Sequence, residues 1–482
     1  MDLRYLLKNI QYQSRNISEN ISVKGVSSDS RNIQKGDLFI AVKGFEFNGH
    51  NFIEKAVESG AVAVVAEKYN NKKYNIPLIL VDNTRKVKSE IVRRFYEYPD
   101  KNMDIIGVTG TNGKTTVSFL LESILQTEGK NTGLFNTLFY RWGEKEISAQ
   151  RTTPDSSDIY KYLSEMKNQG VTSLVMEVSS HALSLFRVEG LQFKAAVFTN
   201  ISRDHLEFHD TMDDYADAKS KLFMMLRSDG IGVINGDDEY AEKMIKAANQ
   251  KAVTVGENPD NDYHINDTHF SVDYSRFTLD TGNTRIIFKT ALKGHFNILN
   301  CAIAAVTAIE IGCDIAAVKQ GIERIKTIPG RMEYIEAAQG FLVIVDYAHT
   351  PEAIENILLE VNKITHNRVI AVFGCGGDRD KGKRPLMGKK AVEHSDYTVV
   401  TTDNPRTENP SLIIADILRG IKKNNKIKII EDRKQAIQYA LDIAEKNDSV
   451  VILGKGHETY QEIGTQRYPF DDKKIVKEYL GL

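Results

Sequence analysis

DIIGVTGTNGKTTVSFLLESILQTEGK (Asp104–Lys130) begins with an apolar run, Ile105, Ile106 and Val108, of the kind that forms a buried strand. The run breaks at a glycine-bearing turn that leads into Lys114, Thr115 and Thr116. Val117, Leu120, Leu121, Ile124 and Leu125 then recur at helical spacing and make one apolar helix face. Strand, Gly-rich turn and helix N-terminus together form a nucleotide-phosphate cradle. Backbone N–H groups face the anion, the helix dipole favours negative charge, Lys114 adds a cation, and the Thr115 hydroxyl can ligate Mg²⁺. The loop is shorter than the full G-x-x-x-x-G-K-[ST], because the glycine before Gly113 is Gly110. The flanking strand and helix carry the phosphate assignment as much as the glycines do.

At 482 residues the chain exceeds what one hydrophobic core serves, and about three domains are expected. Hydrophobic content of 41% with 27% charged residues is the balance of a soluble globular protein. A net charge of −2 gives no electrostatic basis for nucleic acid as a partner. Cys301, Cys313 and Cys375 lack metal-ligand spacing and are odd in number, so they read as free thiols in a reducing compartment. MDLRYLLKNIQYQSRN at the N-terminus lacks a signal-peptide core. No apolar run approaches the ~18 residues of a membrane span. A cytoplasmic protein without membrane contact is expected. The Lys/Asn-rich patches at Asn70–Lys73 and Lys422–Lys428 read as solvated surface.

Residues 1–100 form a first expected unit, with β-like runs at Asp37–Val42 and Ala61–Ala66 around a helix at Phe52–Glu58 and a linker at Pro99-Asp100. A second, 101–330, alternates helices with strands at Ser173–Val178, Ala195–Thr199 and Ile231–Asn235. Such alternation predicts a mostly parallel sheet covered by helices. After Ile328–Arg331 the pattern restarts over 331–482, with strands at Phe341–Val345, Arg368–Phe373, Tyr397–Thr401, Lys426–Ile430 and Ser449–Leu453. Polar clusters rich in Gly, His, Asp and Arg follow the strands. Ligands of open α/β sheets bind at those carboxyl ends, so a site built between domains is expected.

Thirteen colinear motifs tie these clusters together: SSDSR (Ser27–Arg31), GDLFIAVKG (Gly36–Gly44), TGTNGKTT (Thr109–Thr116), TTPD (Thr152–Asp155), EVSSHAL (Glu177–Leu183), NISRDHLEFH (Asn200–His209), YADAK (Tyr215–Lys219), GHFNILN (Gly294–Asn300), PGRME (Pro329–Glu333), VDYAHTP (Val345–Pro351), GCGGDRDKGKRP (Gly374–Pro385), DNPRTENP (Asp403–Pro410) and GKGHE (Gly454–Glu458). In this set the chain resembles the Mur ligase family over essentially its whole length, and the short phosphate loop is the form that family uses. The resemblance implies an α/β protein of three domains: an N-terminal UDP-binding domain, a central P-loop ATPase with a mostly parallel sheet, and a C-terminal Rossmann-like domain for the incoming amino acid. It implies ATP-dependent joining of a diamino acid to the D-glutamate of UDP-MurNAc-L-Ala-D-Glu, through an acyl phosphate, by a monomer.

The resemblance also implies roles. Gly110, Thr111, Asn112, Gly113, Lys114, Thr115 and Thr116 would hold the ATP phosphates, with Asn297 at adenine, Arg331 at phosphate and Asp346 at the ribose or reaction centre. Thr115, Glu177, His205 and Lys219 would ligate two Mg²⁺ ions, Lys219 as a carbamate formed with CO₂, which turns a cation into an anion with two oxygen ligands. Ser30, Thr152, Thr153, Ser179 and Arg187 would bind the UDP-sugar dipeptide. Arg379, Asp403, Asn404, Pro405, Arg406, Gly454 and Glu458 would bind meso-diaminopimelate. Its second carboxylate, absent from lysine, suits a bidentate guanidinium at Arg406. The lysine-adding form, D-Ala-D-Ala-adding ligases and folylpolyglutamate-type ligases are the alternatives. DSR…GDLF and DNPR speak against the last two. A nucleotide switch is disfavoured by two further domains with their own polar loops, and a dehydrogenase by the lack of G-x-G-x-x-G.

Overall fold

The computed structural model describes residues 1–15, 20–44, 47–68, 74–249, 251–271, 274–422 and 426–482. The Asn70–Lys73 patch lies outside the described residues, as do residues 423–425 of the second Lys/Asn-rich patch. The chain divides into two compact units. The first comprises Met1–Thr109, Gly129–Ala196 and Lys221–Ile231; the second comprises Gly110–Glu128, Val197–Ser220 and Gly232–Leu482.

The first unit opens with a five-stranded sheet in the order Gln13–Arg15, Leu78–Leu80, Ala63–Ala66, Asp37–Ile40, Gly25–Ser27. All neighbours are parallel except the first pair. Leu38, Ile40, Ala63 and Val65 bury one face while Phe39, Val64 and Ala66 bury the other. Burial on both faces is why these strands read as continuous apolar runs. Asn83 caps the helix Thr84–Phe95 by accepting the Lys86 N–H at 3.0 Å. Asp100, at the expected linker, is buried and takes two guanidinium nitrogens of Arg93 at 2.7 and 3.0 Å. The same unit holds the parallel strands Asp104–Thr109, Ser173–Glu177 and Thr132–Phe135. Phe139–Trp142 and Lys145–Ser148 extend them as an antiparallel hairpin.

In the second unit the helix Lys114–Thr127 packs on His295–Glu310 and Ile315–Arg324. A Cβ on Gly321 would lie 2.5 Å from the Ile124 Cα, so glycine permits this close approach, which Ser123 Oγ ties by donating to the Gly321 carbonyl at 2.7 Å. Tyr263–Phe270, Ser275–Asp280 and Arg285–Thr290 form an antiparallel run that the apolar-run criterion does not reach. Tyr263–Phe270 has one buried residue of eight, so its pairing leaves little apolar signal. A six-stranded sheet follows, in the order Glu333–Glu336, Leu342–Asp346, Ser449–Leu453, Val369–Phe373, Tyr397–Val400, Ile427–Ile429. It is parallel apart from its first strand. The last parallel strand in sequence lies between the first two, which makes the topological switch where α/β sheets bind ligands. No described helix is long and apolar enough to cross a membrane. The architecture is α/β with mostly parallel sheets.

Candidate active site

Strand Asp104–Thr109 delivers the chain into Gly110, whose φ is +148°. A Cβ there would sit 1.8 Å from Thr199 Oγ1, and one on Gly113 (φ +86°) would sit 2.4 Å from Asn300 Oδ1. Only glycine fits either place. The loop is pinned from outside: Thr111 N–H donates to the Asn200 carbonyl at 2.8 Å, and Asn112 N–H to Asn200 Oδ1 at 2.9 Å. Lys114 Nζ caps the Gly110 and Thr111 carbonyls, both at 2.9 Å. The helix that follows has Gly113 at its N-cap and no side-chain cap, so its first N–H groups have no intrahelical acceptor. An anion fits that end.

A cavity of about 260 Å³ opens here, lined by Gly113, Thr115, Thr116, Asn300, Arg331 and Asp346 among others. Arg331 donates from Nη2 to Thr115 Oγ1 at 3.2 Å and lies over the Tyr347 ring at 4.7 Å. Its Nε is buried with no hydrogen-bond partner among the described residues, a cationic donor edge suited to phosphate oxygen. Asp346 accepts the Met332 and Ala348 N–H groups, each at 2.7 Å. Burial raises its carboxyl, against the opposing charge of Arg331. Asn297 is buried but does not line the cavity; its amide donates to the Lys293 carbonyl and accepts from Asn300.

Lys219 comes from the helix Met212–Ser220 and is 1% exposed. Nζ donates to the Gly110 carbonyl at 2.8 Å and lies 4.3 Å from the Tyr215 ring centroid. Burial, then the charge of Lys114, drive its amine well below the usual lysine range. His205 has φ +58°, with Asp204 and Glu207 carboxylates each 3.5 Å from its ring nitrogens. Asp204 also pairs with buried Lys383 at 2.8 Å. Burial alone would raise the Asp204 carboxyl; His205 and Lys383 overcome it and hold it well below the carboxylate range. Asp204, Lys383 and Asn200 escaped the sequence assignment of roles, although NISRDHLEFH and GCGGDRDKGKRP contain them. Among the described residues no three His, Cys, Asp or Glu side chains group to hold a metal.

In the first unit, Ser30 lines a cavity of about 480 Å³ together with Arg31, Phe47, Arg85, Lys88 and others. Thr153 and Ser179 interlock, with Thr153 Oγ1 donating to the Glu177 carbonyl and accepting the Ser179 N–H. The Thr152 hydroxyl lies 3.2 Å from that of Thr137 and can donate to it. Arg187 reaches the Thr153 carbonyl at 3.3 Å, and burial, then the charge of Arg151, lower its guanidinium to about 10. Glu177 is fully buried and accepts from the Thr137 N–H and hydroxyl.

At the strand ends of the six-stranded sheet, Asp403 and Asn404 meet Gly454 and Glu458. Gly454 has φ +112°, and a Cβ would lie 2.5 Å from Asp403 Oδ2. Asn404 Nδ2 and Lys455 Nζ both donate to Glu458 Oε2 at 2.8 Å. The Pro405 carbonyl lies 1.9 Å from where a Gly377 Cβ would be. Arg406 has φ +49° and donates from Nη1 to the Gly377 carbonyl. Arg379 stays exposed and bonds the Asp378 carbonyl.

Three family models match the chain in register with these clusters: the Mur ligase family catalytic domain over residues 22–99, the Mur ligase middle domain over 108–308, and the Mur ligase glutamate ligase domain over 330–456. A UDP-N-acetylmuramoyl-L-alanyl-D-glutamate–2,6-diaminopimelate ligase of Aquifex aeolicus is 42% identical, over 100% of this chain and 96% of its own length. The Listeria monocytogenes enzyme of that name is 39% identical, with 100% of each covered. A solved structure of a ligase of the same name has 35% identity and a TM-score of 0.67, covering 95% of each chain. MurF ligase from Thermotoga maritima in complex with ADP has a TM-score of 0.63 at 19% identity, a likeness of fold. The chain belongs to the Mur ligase family.

Proposed function

We propose that this chain is an ATP-dependent ligase that adds meso-2,6-diaminopimelate to the D-glutamate of UDP-MurNAc-L-Ala-D-Glu in peptidoglycan-precursor synthesis, acting as a cytoplasmic monomer. The full-length relatives named for that reaction support it, and so do the matched segments, which suit domains at 1–100, 101–330 and 331–482. The observation that carries the reading is the Arg406 guanidinium, held on the Gly377 carbonyl and Glu462 in the turn that also presents Asn404 bonded to Glu458, so that cationic and anionic groups of one strand-end cluster suit a zwitterionic amino acid.

A carboxylate resists attack by an amine, so its oxygen must first become a good leaving group. Transfer of the γ-phosphoryl group of ATP to the D-glutamyl carboxylate gives an acyl phosphate; amine attack on its carbon then forms the amide and releases phosphate. In this reading Lys114, Arg331 and the N-terminal N–H groups of the helix that begins at Lys114 hold the phosphates. Gly110 to Thr116 shape the cradle, Asp346 orients Arg331, and Asn297 supports Asn300 beneath the nucleotide. Arg187, with the charge of Arg151 beside it, meets an anionic group of the dipeptide, while Ser30, Thr152, Thr153 and Ser179 line its path. Glu458 and the Gly454 carbonyl receive the ammonium of the diamino acid; Asp403, Asn404, Pro405 and Arg379 shape the rest of its pocket.

The protein donors fit magnesium in part, since they form no closed carboxylate cage, and Mg²⁺ characteristically completes its shell with phosphate and water. Two such ions would neutralise charge on the transferring group, held by Thr115, Glu177, His205 and a carbamylated Lys219. A buried amine pushed toward its neutral form is the nucleophile that CO₂ requires; carbamylation forms the N–C bond and releases one proton. The decisive experiment supplies ATP, Mg²⁺, bicarbonate, the UDP-dipeptide and an equimolar mixture of meso-diaminopimelate and L-lysine. Mass analysis should find the diaminopimelate tripeptide; the lysine product, or none, refutes the reading.

A further inference from the structure

We propose that Glu462 is a specificity-determining positioning residue for the incoming amino acid: it fixes the Arg406 guanidinium so that the unshared end of the fork meets a ligand carboxylate. The inference rests on the diaminopimelate reading of the same site.

Arg406 occupies left-handed backbone, φ +49°, which a non-glycine residue keeps only where its surroundings hold it. The hairpin of Tyr460–Ile463 and Gln466–Pro469 provides that hold. The Arg406 N–H donates to the Glu462 carbonyl at 3.0 Å, and the Gly464 N–H donates to the Arg406 carbonyl at 2.7 Å. The side chain is held from the same place: Nε donates to Glu462 Oε2 at 3.0 Å, while Nη1 donates to the Gly377 carbonyl at 2.8 Å. No protein acceptor bonds Nη2 among the described residues. A guanidinium carries five donors in a rigid plane, so pinning Nε and Nη1 sets the direction in which the Nη2 donors point.

The hairpin also templates the neighbours of Arg406. Gln461 Nε2 donates to the Asp403 carbonyl at 2.7 Å, and the Glu462 N–H donates to Asn404 Oδ1 at 2.9 Å. Glu462 therefore touches the Asp403–Arg406 turn through backbone and side chain alike. Its side chain is 24% exposed and that of Arg406 20%. A pair so placed contributes little to stability. Its removal should leave the fold intact and loosen the aim of the fork. The opposite role is also physically definite: a carboxylate on the guanidinium could compete with the carboxylate of the ligand. The two roles predict opposite changes in KM.

Steady-state kinetics on the full-length protein separate them, with ATP, the UDP-dipeptide and either meso-diaminopimelate or L-lysine, for wild type, Glu462→Gln and Glu462→Ala. The KM for diaminopimelate should rise about tenfold in Glu462→Ala, the scale of a lost charged hydrogen bond. It should rise less in Glu462→Gln, which keeps an acceptor oxygen for Nε. The KM values for ATP and the UDP-dipeptide, and kcat, should stay near wild type, and the preference for diaminopimelate over lysine should fall by the same factor as the KM rises. An unchanged or lowered KM for diaminopimelate overturns the proposal, and so does a parallel rise in all three KM values, which marks general damage. A wild-type protein that adds no diaminopimelate defeats the parent reading and this inference together. A competent wild type with indifferent variants defeats this inference alone.

Discussion

Lys219 Nζ donates to the Gly110 carbonyl at 2.8 Å, which sets a fully buried amine against the backbone of the phosphate loop. Lys114 caps the same carbonyl at 2.9 Å. Two lysines on one acceptor repel each other as cations, and that repulsion joins burial in favouring the neutral amine of Lys219.

A neutral, buried Lys219 should therefore take up CO₂. Wild type incubated with ¹³C-bicarbonate should give a carbamate carbon signal that is absent from Lys219→Ala. The variant should lose ligase activity by at least ~100-fold, the scale of a lost metal ligand. Full activity in Lys219→Ala would end the carbamate assignment.

Gly110→Ala tests the cradle itself. The new Cβ would collide with Thr199 Oγ1, whose hydroxyl donates to the Asn112 carbonyl at 2.5 Å. Relief of the clash has to move either that hydroxyl or the loop. Affinity for ATP, measured by calorimetry, should drop about 100-fold or more, with the thermal midpoint of the apo protein shifted far less.

The phosphate loop was readable because its strand and helix are bounded by local signals: apolar runs, glycines with positive φ, and an i, i+3, i+4 stripe. The parallel strands were readable because burial on both faces makes them uniformly apolar. Lys219 shows where such signals stop. YADAK spells a polar helix turn, and only the packing of Tyr215 and Gly110 around the side chain makes it a buried amine. Family resemblance named Arg406, but nothing in DNPR announces that a hairpin more than fifty residues later aims it. Tyr263–Phe270 and Arg285–Thr290 give no apolar run for the converse reason: the first buries one residue of eight, and the second buries only every second residue, so neither is continuously apolar.

His457 links stability to pH. Its side chain packs on Tyr347 with ring centroids 5.0 Å apart, and Nδ1 is buried with no hydrogen-bond partner among the described residues. Burial, then the charges of Arg331 and Lys455, lower its pKa from 6.5 to about 3. Between these values the unfolded chain binds a proton that the folded one refuses, so stability falls as pH drops from 6.5 toward 3. Between pH 6.5 and 5 the loss should be about 1–2 kcal/mol. His457→Gln should flatten this part of the thermal-midpoint profile; an unchanged slope would show that His457 is not its source.

Arg433 and Asp472 form a pair with no exposed side-chain surface, with Arg433 Nη2 also donating to the Leu453 carbonyl and Nη1 to the Thr402 carbonyl. The pair thus joins the ends of the strands that launch the Gly454–Glu458 and Asp403–Arg406 loops. Removing one charge strands the other, at a cost of about 3–5 kcal/mol. Asp472→Asn and Arg433→Met should each lower the unfolding midpoint sharply, and the double variant Arg433→Met/Asp472→Leu should recover much of it. Additive losses in the double variant would mean that the pair is not coupled.

Arg406→Ala removes the donors assigned to the far carboxylate of the diamino acid. Lysine has no such group, so the two amino acids should respond differently. Addition of diaminopimelate should lose at least ~100-fold in kcat/KM, because a buried carboxylate is left without its bidentate partner. Addition of lysine, whatever its starting level, should change by no more than a few-fold. Arg406→Lys should recover only a fraction, since a point charge cannot reproduce the planar fork. Equal losses for both substrates would instead make Arg406 a structural support of the turn, a role its φ of +49° and its bond to the Gly377 carbonyl would also explain.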